Sequence, residues 1–177
     1  ISNLAQLNKI NPYKLLSNTY GGSGYDIACS LVKSPIIYEI KNNNYDEINF
    51  NPPFKDKLFF IYLNKKQNSK VEVDRFENIE VNEKTIKSIN SITEVISKTK
   101  EYDEFNFLIR KHEQIISNVI NKTSVKKLKF KDFKGEIKSL GAWGGDFILA
   151  SGTDSPSYFK SKGYKTIIKF DDMVYRR

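Results

Sequence analysis

The chain has 177 residues, 39% of them hydrophobic, enough for one ordinary domain with a core plus a fragment of another. Its 29 basic and 21 acidic residues give a net charge of +8, yet lysine is spread along the whole length and arginine is confined to Arg75, Arg110, Arg176 and Arg177. The charge therefore reads as compositional and argues against a nucleic-acid patch, while the lack of any run of about 18 apolar residues argues against a membrane-spanning helix. The single cysteine, Cys29, excludes an intrachain disulfide or a thiolate cluster and fits a cytoplasmic setting. The opening residues are polar and mixed, without the pattern of a signal peptide.

Residues 1–20 read as one or two short helices broken at Pro12, with Asn11 placed to start the second. Because the chain opens at Ile1, inside a helical pattern, further residues are expected upstream. The run Gly21-Gly22-Ser23-Gly24 then opens a helical stretch, Tyr25 to Leu31. Residues 34–40 form an expected strand, 42–44 a turn, and Ile48 with Phe50 a short second strand ending at Pro52-Pro53. Residues 57–63 (KLFFIYL) are a strongly apolar strand, and 64–80 are polar without a clear period. Asn82 caps a helix with Ile86, Ile89, Ile92, Val95 and Ile96 on one face. A second helix covers about 102–121, and His112 reads as a surface or packing residue on it. The basic run Lys126, Lys127, Lys129, Lys131 and Lys134 alternates with Leu128, Phe130 and Phe133 and reads as a solvated face. A strand at 136–140, a glycine turn at 141–145, a strand at 146–150, a short helix from Ser155-Pro156 to Gly163 and a strand at 166–170 complete the chain. From residue 57 onward this is the order of a split βαβ, ferredoxin-like α+β domain.

Two segments carry chemistry. In Gly21 to Ala28 (GGSGYDIA), glycines allow backbone to approach a ligand closely, and the helix start that follows offers amide groups to an anion. Asp26 sits where the helix dipole favours a carboxylate, so a structural cap and a functional acid fit it equally. In Lys138 to Ala150 (KSLGAWGGDFILA), Gly141, Gly144 and Gly145 exceed what a hairpin turn needs. Taken alone, this second segment is a bulged hairpin.

Taken together, the two segments resemble the GHMP kinases, the family of galactokinase, homoserine kinase, mevalonate kinase and phosphomevalonate kinase. Gly22-Ser23-Gly24-Tyr25-Asp26 is similar to a Gly-Ser-Gly-x-Asp element of phosphomevalonate kinases, and Gly24 to Ala28 spells the Gly-Tyr-Asp-Ile-Ala signature of one branch. Lys138 to Asp146 resembles the family's third motif, Lys-x-x-Gly-Ala-x-Gly-Gly-Asp, with Trp143 where relatives usually carry glycine. The resemblance covers essentially the whole chain. It implies two parts: residues 1–33, the end of the N-terminal ATP-binding domain, and residues 34–177, the C-terminal ferredoxin-like domain. The family's phosphate loop, Pro-x-x-x-Gly-Leu-Gly-Ser-Ser, does not occur in this sequence and is expected before Ile1.

The activity so implied is phosphoryl transfer from ATP, with Mg²⁺, to mevalonate or phosphomevalonate. Asp26 is the expected catalytic residue. Ser23, Gly24, Lys138, Gly141, Ala142, Trp143, Gly144, Gly145 and Asp146 would face the acceptor, and Gly21 and Gly22 the nucleotide. No metal ligand is assigned. ATP, the small-molecule acceptor and the upstream part of the same protein are the expected partners, with neither nucleic acid nor membrane among them. Two other readings stand beside this one: a catalytically inactive binding relative, to which Trp143 points, and a nucleic-acid-binding ferredoxin-like domain, to which the charge points. The second requires aromatic side chains exposed on the sheet.

Overall fold

The computed structural model describes residues 1–19, 21–66, 76, 79–141, 143 and 145–174. It is a mixed α+β fold with two antiparallel sheets and several helices, divided into two compact units, residues 1–50 and 51–174. No described helix is long and apolar enough to cross a membrane.

The first unit begins with α1 (Ser2–Leu7) and α2 (Pro12–Ser17). Asn11 starts α2 through its side-chain oxygen, which accepts from the amides of Tyr13 at 2.9 Å and Lys14 at 3.2 Å, and Pro12 occupies the first helical position. α3 (Tyr25–Leu31) buries Ile27 and Ala28. A hairpin follows, with β1 (Ile36–Glu39) and β2 (Asn44–Glu47) pairing Ile36 with Glu47 and Glu39 with Asn44. The expected second strand at Ile48 and Phe50 is thus displaced toward the N-terminus. A 3₁₀ turn at Ile40–Asn42 and Asn43 in the left-handed region (φ +50°) reverse the chain early, a conformation asparagine tolerates. Beyond β2 the Ile48 amide donates to the Pro35 carbonyl at 2.9 Å.

The second unit is built on β3 (Leu58–Tyr62), which lies between β5 (Phe147–Ser151) and β6 (Ile167–Lys169), with β4 (Glu136–Ser139) on the far edge of β5. The order is β4-β5-β3-β6, and every neighbouring pair is antiparallel. Between β3 and β4 run α4 (Glu83–Lys98), α5 (Tyr102–Val119) and the short α6 (Val125–Lys129); α7 (Ser155–Ser161) links β5 to β6, and α8 (Phe170–Met173) follows β6. Asn82 caps α4 as expected, accepting from the Thr85 amide at 2.9 Å. The basic run after residue 125 folds as one helical turn and a loop.

Alternation places the core. Phe59 and Ile61 of β3, Ile137 of β4, and Ile148 and Ala150 of β5 fall on alternate positions and bury against Phe130, Phe133 and Phe159. The rings interlock: Phe130 and Phe159 meet edge to face with centroids 5.0 Å apart, and Phe133 tilts against Tyr158 at 4.9 Å. The intervening aromatics of β3 are also packed, Phe60 on Phe170 and Tyr62 on Phe147. Phe159 is fully buried, so Phe159→Ala should lower unfolding stability by about 3–5 kcal/mol in urea titrations, whereas Phe107→Ala, at an exposed site, should change it by less than about 0.5 kcal/mol.

Candidate functional site

The glycine run before α3 has the backbone that the sequence requires. Gly21, Gly22 and Gly24 all have positive φ, at +68°, +101° and +76°. A Cβ on Gly21 or Gly22 would meet open space, but one on Gly24 would lie 2.9 Å from the Tyr13 ring and 3.1 Å from the Tyr38 hydroxyl. That hydroxyl donates to the Ser23 carbonyl at 2.7 Å and fixes the run onto β1. Ser23 Oγ accepts from the Tyr25 amide at 3.3 Å, and the Ile27 and Ala28 amides turn to the Gly24 carbonyl. The start of α3 is therefore partly capped from within. Asp26, in the first turn, is exposed. Tyr25 is pushed up to about 12 by a hydrogen bond with Cys29, by burial and by the Asp26 charge.

The second segment joins β4 to β5 in the other compact unit. Lys138 and Ser139 end β4, Leu140 bonds back to the Phe147 carbonyl at 3.3 Å, and Gly141 is left-handed at φ +57° with open space about it. Trp143 is half-buried and Gly145 buried; Ala142 and Gly144, both expected at the site, lie outside the described residues. Asp146 is left-handed at φ +48°. Its amide donates to the Lys65 carbonyl at 2.8 Å and its carbonyl accepts from Leu63 at 2.7 Å, so the end of the loop is tied to the continuation of β3. Lys138, Gly141, Trp143, Gly145 and Asp146 are brought together by this hairpin. Ser23, Gly24 and Asp26 belong to the first unit, with Gly21 and Gly22.

Beneath the loop lies a polar cluster contributed by α5. Glu113 is 5% exposed and accepts from the Ser139 amide at 3.0 Å and the Ser139 hydroxyl at 2.9 Å. Burial pushes its carboxyl up, while Lys138, the two Ser139 bonds and the Trp143 indole act in the opposite sense. Burial likewise lowers the Lys138 ammonium, and Glu113 opposes that shift. The Lys138 Nζ reaches the Ser139 carbonyl at 3.4 Å. His112 is lowered to about 4 by burial and by the Lys138 charge, and its Nδ1 is buried without a hydrogen-bond partner among the described residues. Such a cluster can hold an amine and a carboxyl in a weakly solvated place and keep an imidazole neutral.

Glu113 and His112 were not legible as site residues. The available signal was a charged residue on an apolar face: Glu113 lies four positions after Ile109 and eight after Phe105, both buried on α5. The described residues contain no group of three or more histidine, cysteine or carboxylate side chains placed to hold a metal ion. No protein-family model matches the chain, and no curated protein matches it in sequence.

Two predictions follow from local geometry. Gly24→Ala forces a side chain into a left-handed backbone and against Tyr13. It should destabilise α3 by about 1–3 kcal/mol, read as faster hydrogen exchange of the α3 amides. The second concerns His112, whose folded-state value of about 4 lies below the ordinary 6.5. The unfolded chain therefore binds more protons between these values. The stability that neutral His112 contributes should be complete above the ordinary value and fall as the pH drops through the folded one. As the only histidine, it can be followed alone by NMR, and His112→Leu should flatten that part of the stability profile.

Proposed function

We propose that this chain carries the acceptor side of a GHMP-type small-molecule kinase, which transfers a phosphoryl group from ATP to mevalonate or phosphomevalonate. The observation that carries the reading is the loop from Lys138 to Asp146. It leaves an edge strand and returns as its neighbour, with a left-handed glycine at Gly141, a backbone tie at Asp146, and the half-buried Lys138 and buried Glu113 at its base. A hairpin that served only to reverse the chain would need neither so long a loop nor a buried carboxyl beneath it. The strand order β4-β5-β3-β6, antiparallel throughout, is the order that a split βαβ domain requires, which supports reading the C-terminal part, expected as residues 34–177, as the family's C-terminal domain.

In this reading Asp26 faces the acceptor from the first turn of α3, with Ser23 and Gly24 beside it. Lys138 offers positive charge to the acceptor or to the transferring group, and Trp143 closes the acceptor side. Gly21 and Gly22, left-handed and open, give the nucleotide phosphates room to approach. ATP supplies the phosphoryl group, and Mg²⁺ its charge neutralisation. The described residues do not fit a site for the ion by themselves. Asp26 acts according to the acceptor: it takes the proton of an attacking alcohol, or it orients an acceptor that is already ionised.

The half-buried Trp143 indole, standing where the resemblance calls for glycine, favours a second reading, a binding protein on the same fold without turnover. The nucleic-acid reading would have to use Phe60 and Tyr62 of β3, which are half-buried against Phe170 and Phe147. An ADP-release assay on the full protein with mevalonate and with phosphomevalonate separates the first two. For an alcohol acceptor, Asp26→Asn should lower kcat by about 10²- to 10⁴-fold with little change in the KM for ATP. For a phosphorylated acceptor the expected result is a moderate loss with a raised acceptor KM. A near-normal kcat removes Asp26 from the catalytic role. Calorimetric binding of either acceptor without turnover supports the second reading.

A further inference from the structure

One buried carboxylate in the second unit holds two cations. Glu136 opens β4 and is 6% exposed. Its Oε1 accepts from Arg110 Nε at 2.9 Å and Nη2 at 2.7 Å, and its Oε2 accepts from Lys126 Nζ at 3.0 Å. A single partner would neutralise Glu136, so the second cation is surplus. Both side chains border a half-enclosed cavity of about 350 Å³ between α5, α6 and β4, and Lys127 and Lys131 line it as well. The only other carboxylate on its wall is Glu113, which is engaged by Ser139 and faces the charge of Lys138. Four cations thus meet two carboxylates, a surplus of two positive charges, in a space of the size that small-molecule sites occupy.

We propose that this cavity binds a small phosphate-bearing molecule, with Arg110 and Lys126 as its fixed cations and Lys127 and Lys131 as its rim. Charge and donor geometry select the ligand. A phosphate monoester carries nearly two negative charges near neutral pH, which balances the surplus. Its oxygens also match a guanidinium fork flanked by ammonium groups better than a single carboxylate does. Arg110 spends Nε and Nη2 on Glu136; Nη1 has no partner among the described residues, and the side chain is 64% exposed. Glu136 therefore acts as a positioning residue. By holding both cations before the ligand arrives, it removes part of the ordering cost of binding. Gln114, on the same wall, supplies an amide for the uncharged body of the ligand. The half-enclosed form limits the ligand to a small soluble phosphate ester. Glu113 lines this cavity and also bonds to Ser139 at the base of the Lys138–Asp146 loop, but the phosphate site does not depend on the transferase reading.

The test is an NMR titration of the ¹⁵N-labelled protein with glycerol 2-phosphate and with pyrophosphate at fixed pH and ionic strength. The side-chain Nε–H of Arg110 and the amide of Gln114 should shift saturably, and the shifts should persist in Asp26→Asn. The double variant Lys127→Gln, Lys131→Gln leaves both pairs of Glu136 intact. It should keep its thermal stability and bind at least about tenfold more weakly. Shifts no larger than those from matched sodium chloride would overturn the proposal, as would an affinity unchanged in the double variant. A third variant, Lys126→Gln, removes one fixed cation and should weaken binding further while the Arg110 Nε–H signal stays in place.

Discussion

Burying a carboxylate costs several kcal/mol unless its oxygens are met by hydrogen bonds or cations, and the edge strand β4 has two to satisfy. Glu136 at its start is held by Arg110 and Lys126, and Glu113 is held by Ser139 at its end. Arg110 and Glu113 both lie on α5, so the two solutions together fix how that helix meets the strand. Earlier turns continue the contact, with Tyr102 and Asn106 bonding to Ser151, the residue paired with Glu136 across the sheet. Residues 102, 106, 110 and 113 form one polar stripe along α5. The neighbouring stripe of Phe105, Leu108 and Ile109 is buried and apolar. Apolar burial supplies most of the stability of such an interface, but the polar stripe decides its register, because each misplaced group would be left buried and unpaired.

The loop from Leu140 to Asp146 depends on this arrangement. Its first strand is held by α5, and its far end is tied through Asp146 to residues 63 and 65, the continuation of β3. The loop therefore starts and finishes on fixed points, and Gly141 gives it a left-handed backbone that most residues would adopt only with strain. The same order holds in the first unit. There, Tyr13 and Tyr38 crowd Gly24, and the Tyr38 hydroxyl holds the Ser23 carbonyl. In both segments, hydrogen bonds from neighbouring elements restrain the backbone.

Lysine is abundant in this chain, and the fold gives neighbouring lysines different roles. Within the run after residue 125, Lys126 turns inward to Glu136, while Lys127 and Lys131 stay on the cavity wall. Asp132, in the same run, is held down to about 2 by hydrogen bonds from Lys162 and Tyr158. Phe130 and Phe133 enter the core between them. The short helix α6 makes this division possible, since a strand would have sent alternate residues to only two faces.

Much of the architecture was legible because it rests on local rules. Asn11 with Pro12 and Asn82 announce helix starts through capping, the spacing in 83–98 and 102–119 announces helices, and the run at 57–63 announces the central strand. The turns at Gly21, Gly22, Gly24 and Gly141 were legible as well, since few residues other than glycine adopt a left-handed backbone without cost. The exact placement of the β1–β2 hairpin was not, because either Asn43 or its neighbours could supply the turn and only pairing with β1 chose between them. Nor could the sequence show that Glu113 and His112 lie under the glycine loop, or that Glu136 gathers Arg110 and Lys126. Those juxtapositions join residues 26 and 10 positions apart. No periodicity records them, because they follow from how a helix and an edge strand pack once their buried charges must be satisfied.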